Sequence, residues 1–403
     1  MVRSKRMRIA WLGSYGLGLL QPELATVRHL QWHPASWIVN LAKALSTKTD
    51  IDLQIITATA GIRENQTIAK NGITFHVIRN TFPFTSRGYP EYMPLNVLTR
   101  YANLRRQIRD VILRLRPDLI HVHGTEDGYG LAALDVGMPT VVSIQGIVQL
   151  CARVSPSVFF KLQAPIELHV IRNAKYFGVR TEWATNLIRG LNRTATIYDL
   201  PEAVHHVFFE ERIQKSTQNI LIVGSIVQRK GIEDALDAMS LILAEYPSAK
   251  LLVVGDGKPD YLEALKRRTV SAGIASNIAW LGFRTAEEIR ALHAMSAVLI
   301  HPSHIDNSPN SVAEAMASSL PVIASNVGGI PSMIENGVTG LLVEPRNQHQ
   351  LAQAVIALLD DESARSRLAK NAKEVARERH LPSKVADKTL SAYDDIISRE
   401  TRS

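Results

Sequence analysis

Two carboxylates, Asp306 and Glu314, stand eight positions apart in the run His301-Pro-Ser-His-Ile-Asp306-Asn-Ser-Pro-Asn-Ser-Val-Ala-Glu314-Ala-Met-Ala. A carboxylate accepts hydrogen bonds from paired hydroxyls, and ribose and hexose both offer such pairs. On one continuous helix two residues at this spacing would be nearly unrelated. Ser308 and Pro309 break the run, because Ser308 suits an N-cap and Pro309 the first helical position, where its missing N–H costs nothing. Both acids can then face one pocket mouth. Asn310 and Ser311 follow at the positive end of the helix dipole, where backbone donors make an anion site.

A second constellation is Ile220-Leu-Ile-Val-Gly224-Ser225-Ile-Val-Gln-Arg229-Lys230-Gly231, read as a buried strand, a glycine turn and a helix start. A lysine there can neutralise a departing diphosphate, an effect that grows in a water-poor cleft. The plainer reading makes Gly224 a tight turn and Lys230 a solvated surface residue. Gly255-Asp256-Gly257 ends another strand and by itself is only a turn signal. Gly282, Phe283 and Arg284 follow the next strand, at the end where open α/β sheets bind ligands; the alternative is a loop with one buried phenylalanine.

These segments need a scaffold, and short apolar runs alternating with helical patterns predict parallel α/β architecture. The expected strands in the first half are 7–12, 51–57, 73–78, 118–122, 140–144, 174–179 and 194–198. In the second half they are 219–224, 250–255, 277–281, 297–301, 321–324 and 340–343. The polar stretch 208–218 lacks apolar periodicity and sets a boundary between domains 1–207 and 208–384, and a last helical pattern covers 385–397. There is no fixed-period repeat and no low-complexity segment.

At 403 residues the chain suits two domains of about 200 residues each. With 46% hydrophobic and 21% charged residues, it reads as an ordinary soluble globular protein. The single cysteine, Cys151, excludes an internal disulfide framework and a cysteine-based zinc site, and fits a small buried apolar residue in a reducing compartment. No run reaches the roughly 18 apolar residues of a membrane span. The basic N-terminus precedes an apolar run of only Ile9 to Leu12, which reads as a strand rather than a signal peptide. A cytoplasmic protein is expected. The formal charge of +8 favours acidic partners such as nucleotide phosphates or an anionic membrane face.

The segment from Asp306 through Glu314-Ala-Met-Ala, Pro321-Val-Ile-Ala, Gly328-Gly-Ile-Pro and Gly340-Leu-Leu-Val resembles the retaining glycosyltransferases of family 4. That resemblance implies the GT-B fold, α/β with two Rossmann-like domains whose parallel sheets face across a cleft. The first would bind the acceptor, joined by a helix at 385–403 that crosses back, and the second the nucleotide-sugar donor. Asp306 stands where the family has the first glutamate of its Glu-x7-Glu pair, and Glu314 matches the second. By resemblance, Asp306 and the loop at Asn307 and Ser308 hold the donor sugar, and Glu314 the nucleotide ribose. Lys230 and Gly231 match a Lys-Gly pair, while Ser225 replaces a phosphate-clamping arginine for which Arg229 stands next door. Lys230, Asp306 and Glu314 are thus the catalytic candidates. Ser225, Arg229, Phe283, Arg284, Asn307, Ser308, Asn310 and Ser311 join them on the donor side.

In the first half, Ala35 and Ser36 stand where the family has a glycine pair. Asp118-Leu-Ile-His-Val-His123-Gly fits its strand and turn, with His123 either an acceptor contact or a satisfied structural histidine. Gln145 falls where many members place a histidine touching the donor sugar, and an amide cannot act as a general base. Gly178-Val-Arg180-Thr-Glu182-Trp183 resembles one branch of the family. Ser36, His123 and Gln145 are therefore the sugar or acceptor side. The mechanism implied is same-face displacement, with the leaving phosphate taking the acceptor proton and the protein supplying orientation and charge stabilisation.

Residues 97–116 read as a basic amphipathic helix with Leu98, Tyr101, Leu104, Ile108, Val111, Ile112 and Leu115 as its apolar stripe. The ordinary reading is a surface helix packed on the sheet; the sharper one is docking on anionic lipid. No histidine, aspartate or cysteine set has metal-ligand spacing. No metal or cofactor is expected, and no nucleic-acid partner; the implied partners are a nucleotide sugar and a glycan or lipid-linked acceptor. Two other readings stay open: a sugar-nucleotide epimerase on the same fold, and a non-catalytic sugar-nucleotide-binding protein.

Overall fold

The structure is a computed structural model that describes residues 6–20, 36–81, 95–148, 150, 158–211 and 218–402. Cys151, Ala35 and most of the two loops at 14–34 and 81–94 lie outside them. The chain divides into two compact units, Met1–Ala203 with Pro382–Ser403, and Val204–Leu381.

The N-terminal unit is built on an eight-stranded sheet: β1 (Met7–Leu12), β2 (Ile51–Thr59), β3 (Gln66–Lys70), β4 (Ile73–Arg79), β5 (Leu119–His123), β6 (Thr140–Ser143), β7 (Tyr176–Val179) and β8 (Thr196–Asp199). Their order is β3-β4-β2-β1-β5-β6-β7-β8, and every pairing is parallel except β3 with β4. Near-continuous apolar runs such as Leu119–His123, buried throughout, are what a sheet covered on both faces requires. The edge strand β3 is a departure from expectation. It forms because Asn71 and Gly72 both adopt positive φ, the conformation of a tight hairpin turn.

The final helix, Pro382–Arg402, seals one face of this sheet by burying Val385, Tyr393 and Ile396. The Trp11 indole N–H donates to the Tyr393 hydroxyl (2.9 Å), whose oxygen is hydrogen-bonded to Nδ1 of His121 (2.6 Å). His121 Nε2 is hydrogen-bonded to Ser143 Oγ (2.6 Å). Burial lowers this imidazole to about 3, so the chain of hydrogen bonds is neutral.

The pattern at 97–116 is not one helix. A turn at Leu95–Leu98 and a helix at Ala102–Leu115 are separated by Arg100 and Tyr101, both left-handed. The apolar stripe is consumed in the unit's own core: Tyr101, Leu104, Ile108, Val111 and Ile112 are buried against β1, β5 and β6. Arg105 is held bidentately by Asp135 at 2.5 and 2.7 Å. Outside remain the charges and two exposed leucines, Leu98 and Leu113, so most of the apolar face that interfacial binding needs is spent. No helix among the described residues is long and apolar enough to cross a membrane.

The C-terminal unit carries a six-stranded parallel sheet: β9 (Asn219–Val223), β10 (Lys250–Val254), β11 (Ile278–Gly282), β12 (Val298–His301), β13 (Val322–Ser325) and β14 (Leu341–Val343). Their order is β11-β10-β9-β12-β13-β14. Helices 232–245 and 348–360 cover one face and helices 310–317 and 362–380 the other.

Candidate functional site

Because β9 lies between β10 and β12, the C-terminal sheet reverses its order between β9 and β12. In open α/β sheets the ligand crevice lies beyond the carboxyl ends of the strands at such a reversal. The segments that emerge there are Gly224–Lys230 after β9 and His301–Asp306 after β12. A small recess among these strand ends is lined by Gly224, Ser225, Lys230 and His301.

Glycines make the close approach possible. Gly231, at φ +67°, would place a Cβ 2.0 Å from the Pro302 carbonyl oxygen, so only glycine lets the loop after β12 lie on the lysine turn. The contact is fixed by the His304 N–H donating to the Arg229 carbonyl (2.8 Å) and by His304 Nε2 against Asp234 Oδ2 (2.6 Å). Gly328, at φ +56°, would put a Cβ 2.0 Å from the Asp306 carbonyl oxygen, and the Gly329 N–H donates to that oxygen (3.0 Å). The Gly-Gly-Ile-Pro motif thus seats the acidic loop. Gly255-Asp256-Gly257 acts the same way on the other side: the Asp256 carbonyl accepts the Ile226 N–H (2.8 Å), and a Gly255 Cβ would lie 1.9 Å from the Gly224 oxygen.

This clamping brings Lys230 and Asp306 into an ion pair, Nζ to Oδ2. The same oxygen meets His301 Nε2 at 3.0 Å. Burial alone would raise the Asp306 carboxyl, but the Lys230 charge and the His301 hydrogen bond hold it well below the usual carboxylate range. Burial likewise lowers His301, which is neutral at pH 7. With Asp306 ionised, Nε2 must carry the ring proton, and Nδ1 is left to accept from the Ser311 hydroxyl (3.4 Å). The lysine is therefore positioned, with Asp306 as its internal partner.

The start of the next helix differs from expectation. It spans Asn310–Ala317 with Pro309 at the cap position and no side-chain capping bond, so Ser308 is not the N-cap. Pro309 stays extended there, and the buried Ser308 hydroxyl instead donates to Met333 Sδ (3.5 Å). The first helical bonds run from the N–H groups of Val312 and Ala313 to the Pro309 carbonyl. Asn307 is buried with its N–H on Asp306 Oδ1 (3.1 Å), while Asn310, Ser311 and Glu314 are half-buried. Phe283 is half exposed, not buried, and Arg284 donates to the Phe283 carbonyl (2.8 Å). No group of three or more histidine, cysteine, aspartate or glutamate side chains among the described residues could hold a metal ion.

In the N-terminal unit, Ser36 opens the helix Ser36–Ser46. His123 ends β5, buried and stacked 3.9 Å from His121. Gln145 lies two residues beyond β6. Arg180, just past β7, is buried with Glu202 at 3.8 Å and lies over the Trp37 ring. Sequence reading passed over Glu126, whose carboxyl is pushed up to about 7, first by burial and then by the charges of Asp127 and Glu167. The Thr-Glu-Asp-Gly run carrying it looks like an ordinary turn.

Residues 205–375 match the family described as glycosyl transferases group 1. That match lies within the C-terminal unit. An uncharacterised glycosyltransferase of Methanocaldococcus jannaschii is 32% identical over 182 residues, 45% of this chain and 46% of that protein. The chain thus spans about half the length of that relative. The N-acetyl-alpha-D-glucosaminyl L-malate synthase of Bacillus anthracis is 25% identical over 84% of this chain and 93% of its own length. Among solved structures, sucrose-phosphate synthase from Thermosynechococcus elongatus superposes with a TM-score of 0.81 at 18% identity, covering 98% of this chain and all of that one. HepE of Anabaena, solved with UDP-glucose, gives 0.70 at 16% identity over 97% of this chain and all of its own. At such identities the likeness concerns the fold, which is GT-B.

Proposed function

We propose that the protein is a retaining glycosyltransferase that moves a sugar from a nucleotide-diphosphate sugar to an acceptor hydroxyl on a glycan or lipid-linked carrier. The observation that carries this is the Lys230 ammonium held at the strand reversal of the unit that matches the family. A cation fixed where β9 and β12 end suits the β-phosphate of a donor, and it gains most as the bond to the anomeric carbon breaks and charge develops on the leaving diphosphate. Asp306 and Glu314 are the acceptors for donor hydroxyls, Asp306 at the sugar and Glu314 at the ribose. Ser225, Arg229, Asn310 and Ser311 border the phosphates. The acceptor proton passes to the leaving phosphate oxygen, so no protein base need stand at Gln145.

The donor half is tested by thermal shift across UDP-, GDP- and ADP-sugars. A ligand at about 100 times its Kd stabilises by about 2.7 kcal/mol, and at least one donor is expected to raise the Tm. Stabilisation by none would end the reading. A donor that binds and yields neither transfer nor slow hydrolysis would favour a non-catalytic binding protein.

A further inference from the structure

The N-terminal sheet has a reversal of its own. β1 lies between β2 and β5, so its crevice lies beyond the carboxyl ends of β1 and β5. Gly13 follows β1, and a Cβ there would come within 3.0 Å of the His123 Cβ. After β5 the loop runs Gly124-Thr125-Glu126-Asp127-Gly128, with φ of +94° at Gly124, +58° at Asp127 and +75° at Gly128. The two glycines adopt positive φ freely, and Asp127 is the one non-glycine residue held there.

The hold is a buried polar network. Thr125 Oγ1 donates to Glu167 Oε1 (2.8 Å), which also accepts the Val148 N–H (3.0 Å). Gln163 Nε2 donates to the Thr125 carbonyl (3.1 Å), and the Tyr101 hydroxyl donates to Gln163 Oε1 (2.8 Å). Gln163 and Glu167 are both fully buried. Ser14 secures Asp127 at 3.2 Å.

What this frame presents is the Glu126 carboxylate. Its Oε2 lies 2.3 Å from where a Gly124 side chain would begin, and its Oε1 3.7 Å from the same position on Gly146. Gly124 leaves room that any other residue would fill. Gln145 Oε1 is 3.7 Å from that Gly124 position. An ionised carboxylate has lone pairs for several hydroxyl donors. His123, 8% exposed, has an Nε2 with no hydrogen-bond partner among the described residues.

We propose that Glu126, with Gln145 and His123 beside it, forms a sugar-hydroxyl site in the N-terminal unit, in which the Glu126 carboxylate accepts hydrogen bonds from a hydroxyl pair of the acceptor. The inference rests on the transferase reading and names the acceptor side of it. Only the ionised form offers the full acceptor set. The groups facing Glu126 are Asp127 on its own loop and Glu167 on the helix 158–173, which disfavour its charge, and Arg180 beyond β7, which favours it. His121 and His123 are kept neutral by burial, and so are the Tyr101 and Tyr129 phenols. Sugar binding should therefore strengthen as pH rises through about 7.

The test is saturation-transfer NMR with the methyl glycosides of glucose, mannose and N-acetylglucosamine. It is run on wild type, Glu126→Gln and Gln145→Ala at about pH 5.5 and about pH 8.5, on either side of the titration. Expected is saturation of at least one glycoside by the wild type at the higher pH, at least tenfold weaker at the lower pH and in Glu126→Gln at both. Gln145→Ala should weaken binding while keeping its pH dependence. Binding that is independent of pH or unchanged in Glu126→Gln overturns the proposal, and so does a wild type that binds none of the three. UDP calorimetry on the same samples reports the C-terminal unit: loss of UDP binding there counts against the donor reading, while retained UDP binding with no glycoside bound counts against this site alone.

Discussion

The two sheets end in opposite electrostatic conditions at the same topological place. Beyond β9 and β12 the polar groups pair closely: Lys230 with Asp306, Asp306 with His301, and His304 with Asp234. Beyond β1 and β5 the groups are desolvated and disfavoured, with Glu126 pushed up to about 7 and His123 Nε2 without a partner among the described residues. The first arrangement is paired internally, and in the proposed function it exchanges that internal counterion for a phosphate. The second costs the fold something until a ligand's hydroxyls arrive, the usual trade between stability and function. The contrast separates a charge-holding site from a hydroxyl-holding one.

Removing the charge should have the largest effect. Lys230→Ala is expected to lower donor turnover by roughly 10²- to 10³-fold, as loss of a transition-state donor does, measured as release of nucleoside diphosphate. A milder drop, below about tenfold, would mean that Lys230 is only a structural partner of Asp306.

Next comes the backbone. Gly231→Ala would force Pro302 away from the lysine turn, and a loss of about 2–4 kcal/mol by urea denaturation is expected, in the range of strain at special φ positions. Retained stability would show that the loop after β12 is not seated by that glycine.

A smaller effect, of opposite sign, is expected in the other unit. The folded pKa of Glu126 lies above its unfolded value of 4.5, so the native state binds the extra proton between about 4.5 and 7. Its contribution to stability is present below that window and is lost as pH rises through it. Glu126→Gln should therefore raise the Tm by a few degrees at about pH 8.5 and leave it nearly unchanged at about pH 4.5. Asp306 runs the other way. Its folded pKa is depressed, so its stabilisation is present above the unfolded value and declines as pH falls toward the folded one, and Asp306→Asn should flatten the acid limb of the stability profile.

The smallest effect is expected on the surface. With the stripe of the helix 102–115 buried, reversing the charges of Arg106 and Arg109 should change co-sedimentation with anionic vesicles by no more than a Debye-screened surface term, about 1 kcal/mol per charge. A larger loss would restore the membrane-docking reading.

The parallel strands and the segments that meet beyond β9 and β12 could be read directly because their signals are local: apolar runs, glycine turns and an acid pair in order. β3 escaped despite the Asn71-Gly72 hairpin signal, since Gln66–Lys70 is polar and half exposed. The break at Arg100 and Tyr101 left no trace in the periodicity, which runs unbroken through both. Ser308 looked like a cap because its residue type is right, but Pro309 takes the cap position and Met333 takes the hydroxyl. Glu126 could not have been found by pattern. Its properties come from burial and, after it, from Asp127 and from Glu167, 41 residues along the chain by difference of numbering, with Gly124 and Gly146 in the loops after two neighbouring strands.

The bond from Tyr393 to Trp11 and His121 also sets an order of events in synthesis. The C-terminal unit is one continuous stretch, Val204–Leu381, and can fold once that stretch has left the ribosome. The sheet that is made first must wait for residues 382–402 before its open face is covered. In domain-by-domain folding, which usually runs from the N-terminus, this chain should complete its second half first and hold a chaperone on the exposed surface around Trp11 until the last helix arrives.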